Sequence, residues 1–343
     1  MSGMSVSLSG VLSAQRVMNS IQKNIANAST EGYKKNIDEL MDVQTGGVDV
    51  KSHTASNPFL ENLMQNAIRE RMKSDILQSG IEELDKLPYD SLEESYNNMI
   101  SAMHNVQGFP SNSSVKAFNA SSKNFAESVT EFSDRIANIK SQTTDNISLN
   151  QREVDSLQAA LEAMNDRGVA DEDEVNSIKS QLMQATDNIA AYQKILDKII
   201  PPIETLFKTG VEQTMGDINF AMAQDVLNSY PFDLEQNTFS GIFSSDITTL
   251  AKTRTPTFDD DKFTGIIGSM KTDVGVLMVN ADAKVKSSTS YMDTIKKSYD
   301  KTFGVDMVEE SVKMMQMQQL YQANAMAIKV QDNLFQTTIN LIA

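Results

Sequence analysis

Apolar residues recur along the first thirty positions with a helical period. Met4, Leu8, Val11, Ala14, Met18, Ile21, Ile25 and Ala28 form one stripe at intervals of three and four. The remaining face carries Ser7, Gln15, Asn19 and Gln22. The stripe stops at Asn27, Ser29, Thr30 and Gly32, which supply helix-stop and turn chemistry. Tyr33 follows as an anchor for that turn or as a rim aromatic. Residues 36–58 lack the period. "TGGVDVKS", with a glycine pair before alternating Val48 and Val50, predicts an extended stretch or a short hairpin arm.

From Phe59 the helical period returns and runs to about Ile200. Phe59, Leu63, Ala67 and Met72 begin it, and Leu84, Leu87, Leu92, Tyr96, Met99 and Met103 continue it. Gly108 and Pro110 interrupt, and a Ser/Asn cluster caps the next helix, with Val115, Phe118, Phe125, Val129, Phe132, Ile136 and Ile139 on its apolar face. A second turn is expected at Gly168, with Asp171 to Glu174 opening a third helix that ends at Pro201-Pro202. Residues 203–262 predict a short helix, roughly 205–228, and then a loop-rich excursion. Helical period resumes at Phe263 and reaches the end, jointed at "FGVD", 303–306.

The last helix carries two stripes. Met314, Met317, Tyr321, Ala325, Ile328, Phe335, Ile339 and Ile342 form one; Val308, Val312, Met315, Met326, Val330, Leu334 and Leu341 form the other. So wide an apolar arc implies contact on two sides. Its remaining positions are mostly amides, such as Gln318, Gln322 and Gln331. Both ends of the chain are therefore charge-poor amphipathic helices. Leu8, Val11, Met18, Ile21, Ile25, Met314, Met317, Tyr321, Ile328, Phe335 and Ile339 are the candidate self-assembly residues.

Composition agrees with helices. Of 343 residues 40% are apolar but only 6% aromatic, and Met, at 20 copies, outnumbers Phe at 14. Methionine adapts to helix seams, and 7 Pro with 15 Gly leave little punctuation for a β-rich fold. The fold class expected is mainly α, an elongated helical bundle whose N- and C-terminal helices pair as a coiled coil, with short irregular or β excursions. The expected domains are 1–35 with 305–343 as the inner coiled coil, 36–202 with 263–304 as the outer bundle, and 203–262 as the excursion.

The formal net charge of -16 disfavours nucleic acid and anionic lipid as partners. No run reaches the roughly 18 apolar residues of a membrane span, and no basic-then-apolar signal opens the chain. Cysteine is absent, which excludes disulfides and thiolate chemistry. His53 and His104 have no neighbouring ligand pattern, and no nucleophile elbow accompanies them. "VADEDEV" and "FDDDKF" lack the alternating ligands and central glycine of a calcium loop, and "QTGGVDV" fits no phosphate-binding loop. No catalytic site, cofactor or metal is expected.

"LSGVLSAQRVMNSIQKNIANASTEGYKK" resembles the N-terminal signature of the bacterial flagellar axial proteins. Asn24, Ile25, Ala26, Asn27, Thr30, Gly32, Tyr33, Lys34 and Lys35 carry that resemblance. "GVDMVEESVKMMQMQQLYQANAMAIKVQDNLFQTTINLI" resembles the matching C-terminal signature, at Gly304, Val305, Glu309, Glu310, Gln319, Tyr321, Ala323, Asn324 and Ala325. The helical middle is similar to that of the hook-associated proteins at the hook–filament junction, whereas rod and hook proteins have mostly β-sheet interiors. Residues 203–262 are too short for the outer β-rich domains usual there. The resemblance implies a non-enzymatic structural protein, exported by the flagellar type III pathway and located outside the cell in the flagellum. It implies self-association through the terminal helices. It further implies contacts with hook protein and with the next hook-associated protein on the filament side, and a cytosolic export chaperone. The alternative reading is a secreted coiled-coil effector or needle-tip protein of a related export system.

Overall fold

A computed structural model describes residues 2–30, 32–43, 46–109, 111–167, 172–221 and 261–342. The fold is mainly α: helices α1 (Ser2–Ala26), α2 (Pro58–Asp85), α3 (Tyr89–Gly108), α4 (Asn112–Arg167), α5 (Glu172–Lys194), α6 (Ile200–Ala221), α7 (Lys262–Phe303) and α8 (Met307–Ile342). Strands β1 (Asn36–Asp42) and β2 (Val48–Thr54) pair antiparallel, with Asn36 opposite Thr54 and Asp42 opposite Val48. The turn between them closes with the Val43 amide donating to Gly47 O at 3.0 Å. Gly46 and Gly47 there have φ of 85° and 124°, which side chains rarely adopt.

The chain divides into two compact units, residues 1–67 with 290–343 and residues 68–289. This differs from the expected division, which put 36–67 and 290–304 with the bundle. The hairpin belongs to the first unit because it is hydrogen-bonded to α1: the Ser13 hydroxyl donates to Val48 O at 2.7 Å, and Val48 N donates to Ser9 Oγ at 3.0 Å.

The second unit is built around a helical core. Tyr96, Phe125 and Phe263 meet with ring centroids 5.0 to 5.7 Å apart. Phe132 joins Tyr89 edge-on at 5.3 Å and stacks on Phe207 at 4.5 Å. Such pairs add about 0.5–1.5 kcal/mol each beyond the area they bury. Ion pairs rim the core, among them Lys140–Glu204 at 3.0 Å and Lys73–Asp187 at 3.0 Å.

Two breaks differ from the sequence reading. The helix beginning at residue 58 ends at Asp85, and Tyr89 starts another. Pro88 explains this, since proline disfavours helical backbone at the residue before it. Conversely, Pro201-Pro202 does not stop a helix. Residues Ile195–Ile199 form a π turn in which the Ile200 amide reaches back to Ile195 O, and α6 continues to Ala221. Prolines remove hydrogen bonds that a regular helix needs, but the first turn of a new helical segment has amides without partners anyway. The short helix expected at about 205–228 is thus the later part of a longer one, and the loop-rich excursion beyond it falls on 222–260, outside the described residues.

Candidate assembly site

In the first unit α1 and α8 run antiparallel, in a register seven residues deep at each level. A Cβ at Gly3 would lie 2.7 Å from the Gln331 carboxamide, and one at Gly10 would lie 2.7 Å from that of Asn324. Two heptads further on, the Asn24 amide donates to Glu310 Oε2 at 3.0 Å. On α1 the seam is Gly3, Ser7, Gly10, Ala14, Val17, Ile21 and Asn24, at strict four–three spacing. Most of these are small or polar, so the backbones approach closely.

At the base of the seam every polar capacity of the Asn24 side chain is used. Its Nδ2 donates to Asn36 O (2.9 Å) and Glu310 Oε2 (3.0 Å), while Oδ1 accepts from Tyr33 Oη (2.8 Å) and Asn36 N (2.9 Å). Asn24 is 1% exposed and Glu310 2%. One side chain therefore joins the first helix, the turn, the first strand and the last helix. Burial, and then the Glu310 carboxylate, push the Tyr33 phenol above its ordinary pKa. Lys313 neutralises the other side, reaching Glu310 at 3.2 Å and Glu309 at 2.7 Å. Burial works against the Lys313 ammonium, but these carboxylates outweigh it and its pKa rises. The hydrogen bond and charge of Lys313 in turn lower that of Glu309.

The residues after Asn24 make the turn. Asn27 Nδ2 donates to Lys23 O at 2.9 Å, Thr30 N donates to Asn27 O at 2.9 Å, and Gly32 has φ 77°. Lys34 pairs with Glu61 at 2.8 Å and lies 5.4 Å from the Phe303 ring centroid. Lys35 N donates to Phe303 O at 2.9 Å, so the same turn holds the end of α7. Ala26, of the same motif, is exposed. Gly304 follows α7 where a Cβ would strike Asp300 O. Asp306 then caps α8, accepting from the amides of Val308 (2.8 Å) and Glu309 (3.1 Å).

The stripes read from the sequence fall unevenly on this pair. Ile21 is buried in the seam; Val11, Met18, Ile25, Met314, Met317 and Ile328 are half-buried beside it. Leu8, Tyr321, Phe335 and Ile339 are exposed. The second stripe of α8 is open to solvent, with Val308 at 74%, Met326 at 68% and Leu334 at 61% exposed. From Asp332 to Asn340, past the level of Gly3, every residue of α8 is exposed. Each large apolar side chain left so is worth about 1.5–3 kcal/mol if covered. Counting apolar residues missed Gly3 and Gly10, because a glycine in a helix seam shows only as a gap in the stripe.

Among the described residues no cluster of His, Asp or Glu could hold a metal ion, and no helix is long and apolar enough to cross a membrane. Residues 297–341 match the family described as the C-terminal region of the flagellar basal body rod FlgEFG proteins. No curated protein and no solved structure matches the chain. The matched segment covers the end of α7, the Gly304 joint and nearly all of α8, which supports a structural role among the flagellar axial proteins.

Proposed function

We propose that this chain is an axial building block of the bacterial flagellum, joining hook to filament by self-assembly through α1 and α8. The observation that carries the reading is the uncovered stripe of α8, Val308, Val312, Met315, Met326, Val330 and Leu334, within a segment similar to rod-protein C-termini. Pairing with α1 consumes one side of α8 and leaves the other apolar, an arrangement that a soluble single copy has no use for. The mainly α middle supports a place at the junction rather than in rod or hook. Hook protein and the next hook-associated protein are then its axial neighbours, outside the cell. Before export by the type III pathway, a cytosolic chaperone covers the same stripe.

Met326→Asp with Leu334→Asp tests this. Both side chains are exposed, so stability of the single copy stays within about 0.5 kcal/mol. Sedimentation and negative-stain images should show the parent chain forming rings or short tubes and the double variant remaining monomeric. Equal assembly of both chains, or collapse of the variant's fold, refutes the reading.

A further inference from the structure

A second feature of the first unit lies between α1 and the hairpin. A pocket of about 350 Å³ is lined by Arg16, Asn19, Ser20, Lys23, His53 and Thr54, among others, and among the described residues no aspartate or glutamate lines it. In a chain of net charge -16 this is an unusual concentration of positive character. Arg16 spends part of its charge on Asp49 at 3.1 Å, at an exposed rim. Lys23 and His53 have no side-chain partner among the described residues. Ser20 is 8% exposed, and its hydroxyl is buried without an acceptor or donor. A buried hydroxyl with no partner is a cost to the fold that an incoming oxygen atom removes.

We propose that this pocket binds an aspartate or glutamate side chain of a second copy of the chain. The inference rests on the assembly reading and names one polar contact within it. A carboxylate matches the donors available: an ammonium, a carboxamide, a ring N–H and a hydroxyl, with no acid among the described lining residues to oppose them. A second copy supplies acidic side chains in excess, 46 per chain against 30 basic ones. The pocket also continues the apolar surface of α1. Asn19 stands seven residues beyond Leu12 and eleven beyond Leu8, on one helical stripe, and both leucines are about half exposed. A copy seated on that stripe reaches the pocket without leaving α1. Its charge contact then sets the register that apolar side chains alone leave loose.

The full chain is mixed as ¹⁴N- and ¹⁵N-labelled copies under assembling conditions and treated with a carbodiimide, which condenses an amine with a carboxylate in contact. The expected product links Lys23 to an aspartate or glutamate of the other isotope, and mass mapping names that residue. Lys23→Gln removes the link and raises the critical concentration about fivefold, the scale of one partly exposed ion pair. Particles that form normally without a link at Lys23 overturn the proposal and leave the assembly reading intact. If the chain stays monomeric, the assembly reading fails on its own. The pocket is then judged by titrating ¹⁵N-labelled chain with N-acetyl-glutamyl-glutamate amide. Saturable shifts at Arg16, Lys23 and His53, lost in Lys23→Gln, uphold carboxylate binding; their absence overturns it.

Discussion

Asn24 is the position at which the first unit should be most sensitive. Replacing it by Ala removes four hydrogen bonds at 2.8 to 3.0 Å and leaves Tyr33 Oη, both backbone groups of Asn36 and Glu310 Oε2 without their partner. Tyr33 and Asn36 are half-buried and recover water in part. Glu310, with its side chain 3% exposed, does not. An orphaned buried group costs about 1–3 kcal/mol, so the sum is about 3 kcal/mol. That corresponds to about a hundredfold increase in local opening. Hydrogen exchange read by mass spectrometry resolves it region by region. Amides of α1, of β2 and of residues 310–324 should exchange about a hundredfold faster, while those of α4 from Phe118 to Ile139 keep their rates. Asn24→Asp preserves the shape but sets a second carboxylate against Glu310. It should be the worse variant, because a carboxylate accepts where the Asn24 amide donated and repels the buried Glu310. Unchanged exchange in α1, or equal loosening of both units, would show that Asn24 does not hold the helices together.

Gly10→Ala should cost about 1–2 kcal/mol in the first unit, because the added methyl meets the Asn324 carboxamide. Asn324→Ala in the same chain should return most of that, a coupling that a double-mutant cycle measures. Burial, with Asp85 adding to it, pushes the Tyr89 phenol well above its ordinary pKa of about 10. Its folded pKa is raised, so its contribution is complete below pH ~10 and is lost as pH rises toward the folded value. Alkaline unfolding of the second unit should therefore be shallower in Tyr89→Phe, after allowance for the lost bond to Leu84 O.

Long helices were legible because their apolar positions repeat. The stop at Asn27 to Gly32, the joint at 303–306 and the hairpin arm were legible because Asn, Gly and Asp act locally at each. The seam was not. The apolar stripe of α1 is displaced by one position from the face that meets α8, since Met4, Leu8, Val11, Met18 and Ile25 flank a line of glycine, serine and alanine. Hydrophobic counting follows bulk, whereas close approach selects its absence. Glu310 belonged to the C-terminal signature but its role needed the partner helix, because a carboxylate in the first turn of α8 reads locally as a favourable helix-end charge. Pro201-Pro202 was misjudged as a stop, and the break at Pro88 was passed over, since the effect of proline depends on whether a new helical segment begins there.

The bond between Asn24 and Glu310 joins residues 286 positions apart. Closing so long a loop in an unstructured chain costs about 5 kcal/mol of chain entropy beyond a constant term. The second unit draws its own contacts from residues 68–289, which lie wholly inside that loop. Once they have folded, the two ends are tethered through a body of fixed span and little of the entropy remains to be lost. The order of events follows from this arithmetic. Whether the chain emerges from a ribosome or from a narrow channel, α1 appears before residues 68–289 and waits for a partner that follows them. The latch around Asn24 thus reports that residues 68–289 and the first turn of α8 have already emerged, and it does not form before.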